Sequence, residues 1–142
     1  MTRHVPVRGA AAAILVLLAC SNSIAAEPFP FDRELLFDAA PMRPGKRMPL
    51  LTVEPGGNAK IDLWCRSVPA RIEISESAMK IEAGPLPEGQ PDMMSAGQCT
   101  PERMQADEEL LGALSQVAGW HWDSEELVLE GPKPLRFRSN DH

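Results

Sequence analysis

Only one stretch of this chain repeats its apolar residues at helical spacing for several turns, and that limits every fold it can adopt. In residues 101–118, PERMQADEELLGALSQVA, the side chains of Met104, Leu110, Leu111, Leu114, Val117 and Ala118 recur on one face. Gln105, Glu108, Glu109 and Gln116 lie largely elsewhere. Thr100 is placed to cap the free amides, Pro101 suits the first helical position, and Glu102 favours the positive end of the dipole. Gly119 is the expected terminator. Burying each leucine is worth roughly 1.5–3 kcal/mol relative to exposure. The acidic run Asp107-Glu108-Glu109 falls in an early helical part and reads as a solvated face matched to the dipole, rather than as paired catalytic acids or a metal site.

The rest of the ordered chain must then be short strands. Residues 47–54 (RMPLLTVE) read as one, stopped by the turn signal Pro55-Gly56-Gly57-Asn58. In AKIDLWC, alternation places Ala59, Ile61, Leu63 and Cys65 on one face, with Lys60, Asp62 and Trp64 on the other. Trp64 is therefore expected to point away from the cysteine face, as a candidate exposed anchor for an interaction surface; the alternative, for it and for Trp122, is that the sheet is closed and covered and the rings are ordinary packing. Ile72 shares a face with Ile74, and Met79 with Ile81 and Ala83; Ser75-Glu76-Ser77 between them suits a hairpin. Residues 84–98 are rich in proline and glycine and read as a loop, where Met93 and Met94 are expected to pack rather than bind copper. Beyond the helix, Trp120 and Trp122 share a side with His121 opposite, and Trp122 is the second candidate for an interaction surface. A turn at Asp123-Ser124-Glu125, a strand with Leu127 and Leu129 inward, a Gly131-Pro132 turn and a strand with Leu135 and Phe137 inward complete the pattern. This is an α+β class chain, a small antiparallel sheet packed on one helix.

Two segments flank that unit. Residues 27–46 form an irregular, proline-rich lead-in, yet Phe29, Phe31, Leu35, Leu36 and Phe37 are too apolar for a solvated tail, so the arm is expected to pack on the domain and add an edge strand. The domain proper spans 47–138, and 139–142 form a polar tail.

Residues 1–26 read as a secretory signal: Arg3 and Arg8 precede the uniformly apolar run Ala10–Ala19, which is too short to span a bilayer. Two processing sites compete. Leu17-Leu18-Ala19-Cys20 resembles a bacterial lipobox, with cleavage before Cys20 and lipidation of it, whereas Ser23-Ile24-Ala25-Ala26 suits ordinary cleavage after Ala25 or Ala26. The expected location is the periplasm, free or anchored to the outer membrane as a lipoprotein. Taking the mature chain from Glu27 removes two of 14 basic residues, leaving 12 against 20 acidic ones and a formal charge of −8. Such a surface repels nucleic acid and anionic headgroups.

Export also governs the two remaining cysteines. A mature domain of this size buries a single modest core, and an oxidising compartment makes Cys65 and Cys99 a natural disulfide pair. Closing that loop adds roughly 3–4 kcal/mol on the chain-entropy model. The alternative is a reactive Cys99 activated by its helix N-terminus. It lacks a neighbour in sequence, because His121 and His142 are the histidines left after processing and both are remote. No glycine-rich phosphate loop, zinc-ligand spacing or nucleophile elbow is present, so no catalytic residue, cofactor or metal is expected.

The order of these features resembles a known module. Residues 99–138 (CTPERMQADEELLGALSQVAGWHWDSEELVLEGPKPLRFR) resemble the C-terminal half of the META domain, found in HslJ-like heat-shock proteins and many small bacterial envelope proteins. The matching positions are Cys99, Pro101, Met104, Glu108, Leu111, Leu114, Leu127, Leu129, Leu135 and Phe137. Residues 47–83 match more loosely: where the family has glycine-cysteine-asparagine, Leu63-Trp64-Cys65-Arg66 keeps only the cysteine. The resemblance implies a curved antiparallel sheet, closed toward a barrel, wrapping one helix. It implies no catalytic activity. The function expected is that of a monomeric, non-enzymatic envelope protein that binds an envelope protein or small ligand, or supports the envelope under stress. The alternative is a periplasmic inhibitor of a lysozyme- or protease-type hydrolase, acting through the loop at 84–98 and steered by its negative charge.

Overall fold

The computed structural model describes residues 27–87, 97 and 99–140, together with residues 2–4, 6, 9, 12–14 and 16 nearer the N-terminus. Among the described residues eight antiparallel strands close into one barrel, with a single helix inserted between the fifth and sixth. Strands β1 (Leu35–Phe37), β2 (Leu50–Val53), β3 (Asn58–Asp62), β4 (Ser67–Ser75) and β5 (Ala78–Ala83) precede helix α1 (Pro101–Ser115). Strands β6 (Gly119–Asp123), β7 (Glu126–Glu130) and β8 (Leu135–Ser139) follow it. Each strand pairs with the next in sequence, and β8 returns to β1 through Leu35↔Ser139, Leu36↔Arg138 and Phe37↔Phe137.

Period-two alternation explains which side faces in. Ile72, Met79, Ile81, Leu127, Leu129, Leu135 and Phe137 are buried in one core cluster, and register sets Ile72 against Ile81 and Leu129 against Leu135. Arg71, Glu73, Lys80, Glu82, Arg136 and Arg138 alternate with them and are exposed. An apolar interior with a charged exterior is a barrel built for water, opposite to one built for lipid. No described helix is long and apolar enough to cross a membrane.

The lead-in does more than add an edge. β1 lies between β2 and β8 and completes the closure, so the barrel keeps no edge there. Leu35 is fully buried within it.

Helix α1 starts as its sequence dictates, with Pro101 at its first position and the Thr100 hydroxyl accepting from Arg103 N–H at 3.3 Å. It stops at Ser115 with Gln116 as its cap, ahead of the glycine expected to end it, and Ala118 is exposed rather than on the apolar face. Gly119 instead opens β6, where a Cβ would meet the Ser77 carbonyl oxygen at 2.9 Å. Its role is close strand approach. Leu110, Leu114 and Val117 enter the barrel core, while Met104 and Leu111 are partly covered. Beside the helix lies the shortest seam of the barrel: β5 and β6 register only at Ala78↔Gly119.

Candidate interaction site

The two ends of the barrel are closed by different chemistry; an open pocket lined by Pro41, Arg43, Pro44, Gly45 and Lys46 adjoins the first, and an aromatic groove opens at the second. At the first end, β3 stops at Asp62 and Leu63 N–H donates to the Arg66 carbonyl at 2.7 Å, leaving Trp64 and Cys65 at the tip of a tight turn. Cys65 is disulfide-bonded to Cys99, with their Cα atoms 5.7 Å apart. The turn overturns the exposure expected for Trp64. Strand alternation ends before this residue, and the indole, 4 % exposed, packs in a second apolar cluster with both cysteines, Met42, Met48 and Met104. Trp64 is a packing residue and offers no interaction surface.

The acidic run also departs from expectation at one position. Glu108 and Glu109 are exposed, but Asp107 is 0 % exposed. Its carboxylate accepts from Cys65 N–H (3.1 Å), Arg66 N–H (3.0 Å) and Arg66 Nε (3.1 Å). Arg66 in turn donates from Nη2 to the Met104 carbonyl at 2.9 Å. Arg103, one turn earlier and also buried, donates to the Trp64 carbonyl at 3.0 Å and to the Pro44 carbonyl of the lead-in. A charged carboxylate tolerates burial only when donors surround it, and here the β3–β4 turn supplies them. The signal was present in the spacing: Arg103, Asp107, Leu110 and Leu114 form one stripe at helical period. Charge at two of those positions disguised it as surface.

The second end is aromatic. Phe29 of the lead-in is buried in the barrel core, with its ring 5.0 Å from Phe31 and 5.4 Å from Trp120, edge to face. Asp32 N–H donates to the Val53 carbonyl at 2.8 Å and holds the arm across the mouth. Trp120 and Trp122 share a face, as alternation requires, in register with inward Leu129 and Leu127. The mouth leaves both half-buried. Trp122 Nε1 donates to the Pro28 carbonyl at 3.2 Å, which fixes the ring against the arm.

Between Glu27 and Pro28 on one bank and the β4–β5 tip at Glu76 and Ser77 on the other lies an open groove of about 660 Å³. Trp120, His121, Trp122 and Ser124 complete its lining. His121 is exposed, as expected, with Nδ1 3.1 Å from Glu130 Oε1. At the adjacent hairpin Arg136 donates to Asp123 (2.9 Å) and Glu126 (3.2 Å); the hydrogen bond to Asp123, then that to Glu126, raise its pKa above the ordinary arginine value. Ring faces with carboxylates at the rim are suited to hold apolar and cationic groups.

The structure thus brings Cys65 and Cys99 together, places Trp122 in a groove and removes Trp64 from the surface. Cys20, Met93 and Met94, and most of the loop expected to carry hydrolase inhibition, lie outside the described residues. Among the described residues no group of three or more His, Cys, Asp or Glu side chains is arranged to hold a metal ion. The sequence marks Glu76 as part of a hairpin turn, but nothing local places that turn opposite Pro28, because the two lie 48 residues apart and neither belongs to a periodic element. Comparison with protein-family models, curated proteins and solved structures finds no match to this chain.

Proposed function

We propose that this chain is a non-enzymatic binding protein of META type, exported to the periplasm, and that it holds a partner protein of the cell envelope in the groove beside Trp122. The observation that carries the reading is that groove: a tryptophan pinned by a backbone hydrogen bond and left half-buried, beside the half-buried Trp120, on a barrel whose inward Leu127, Leu129, Leu135 and Phe137 are covered. Preorganised aromatic surface of this kind is what interface anchors are made of. The Cys65–Cys99 disulfide supports the oxidising location, since such bonds persist outside the cytosol. The charged exterior supports an aqueous one. Processing before Cys20 would tether the protein by lipid, and cleavage near Glu27 would free it; intact mass of the purified protein distinguishes them.

The test is a photo-crosslinking amino acid at Ser124, on the groove, and at Lys133, in the β7–β8 turn. In growing cells the Ser124 probe should give a discrete protein adduct that Lys133 does not, and Trp122→Ala should remove it. An identical adduct pattern from both positions, or none from Ser124, would sink the reading.

A further inference from the structure

Strand geometry fixes where each amide of β6 points. Trp120 N–H donates to the Ser77 carbonyl at 2.9 Å, away from β7. Two residues on, Trp122 offers its N–H and C=O to that same side. Among the described residues no strand meets them. The β4–β5 hairpin turns back at Glu76-Ser77, so β5 registers with β6 only at Ala78↔Gly119, while β7 takes the opposite side through Trp122↔Leu127. Among the described residues no backbone group pairs with the outward N–H and C=O of Trp122.

The groove runs against this bare stretch. Among the described residues its lining carries two carboxylates, Glu27 and Glu76, and no lysine or arginine, on a chain whose formal charge is already −6; Arg33 lines the adjoining pocket on the far side of Pro28 and Trp122. We propose that the occupant is an extended, basic peptide segment of the partner, added as a short strand to β6 at Trp122. Its backbone pairs with the free N–H and C=O, an apolar side chain lies on the Trp120 and Trp122 rings, and flanking lysine or arginine side chains meet Glu27 and Glu76. Main-chain pairing supplies affinity at an open edge and side-chain alternation supplies choice. Ring faces and carboxylates together select a cation. Hairpin geometry keeps the place open: Glu76 (φ 53) and Ser124 (φ 57) hold left-handed tip conformations that turn β4 tightly into β5 and β6 tightly into β7. This proposal rests on reading the groove as the partner site.

The experiment is an NMR titration of the oxidised, exported protein with the blocked peptide Lys-Val-Lys-Leu-Lys. Parallel titrations use its glutamate counterpart and a version N-methylated at alternate residues. The basic peptide should shift the Trp120 and Trp122 resonances saturably and slow exchange of the Trp122 amide. N-methylation should weaken binding at least about tenfold by removing the pairing, and the acidic peptide should not bind. Glu76→Asn, which keeps a residue tolerant of positive φ, should weaken the basic peptide several-fold and lessen its salt dependence. Equal binding of the methylated peptide would overturn strand addition, and so would the absence of a Trp122 shift at millimolar peptide. If the Ser124 crosslink persists in either case, strand addition fails while the partner site stands; if the crosslink itself is absent, the partner site fails first.

Discussion

One barrel closes its two ends in opposite ways. At the disulfide end, Asp107, Arg66 and Arg103 are buried and tied to backbone groups of the β3–β4 turn and the lead-in. At the groove end, Phe29, Phe31, Trp120 and Trp122 do the covering, with few hydrogen bonds among them. The difference matters because buried charge is intolerant: each partner must be present and in place, so such an end cannot yield to a ligand. Apolar cover is non-directional, and rings can remain half-exposed without an unpaired charge. Binding is therefore expected where the closure is aromatic, and rigidity where it is ionic.

The sharpest way to break this contrast is Asp107→Ala. It leaves the Arg66 guanidinium buried without its carboxylate, and about 3–5 kcal/mol of stability should be lost in urea unfolding. A loss below about 1 kcal/mol would mean the charge is not buried as described. Replacing both cysteines, Cys65→Ser with Cys99→Ser, opens a loop of sequence separation 34. The cost should be about 3–4 kcal/mol in thermal or urea unfolding on the chain-entropy model. Groove binding should survive the change at temperatures where the barrel stays folded. Phe29→Ala should cost about 3 kcal/mol, at the low end for a buried phenylalanine because the arm has freedom to settle, and it should also quench the groove by releasing Pro28 from Trp122. Trp122→Ala should cost only about 1 kcal/mol of stability while abolishing the crosslink. Smallest is Glu76→Asn, whose better fit to positive φ should raise stability by about 0.5 kcal/mol even as peptide affinity falls. If Trp122→Ala cost about 3 kcal/mol or more, as a core aromatic does, or if Glu76→Asn lowered stability along with binding, the groove would be part of the core rather than a site.

Much of the fold could be read before any tertiary contact was known. The Thr100-Pro101 helix start, the inward pairs Met79 with Ile81, Leu127 with Leu129 and Leu135 with Phe137, and the pairing of Cys65 with Cys99 follow from local period and from how few cysteines there are. Each is set by residues a few positions apart, or by a single possible partner. The failures share the opposite property. Alternation points Trp64 outward, but the strand stops at Asp62, a boundary decided by where the disulfide and the Asp107 carboxylate draw the turn inward. Asp107 reads like its exposed neighbours because the arginine that pairs with it lies 41 residues away. The lead-in declared itself apolar, but only closure placed β1 between β2 and β8 and Phe29 in the opposite mouth.

What the sequence determined alone was therefore the identity of the elements and the face each one buries, because side-chain period is a property of neighbouring residues. Tertiary structure decided which charges are buried, which tryptophan is covered and where a groove opens. Those outcomes depend on groups far apart in the chain meeting at a defined distance, and no local pattern encodes such a meeting.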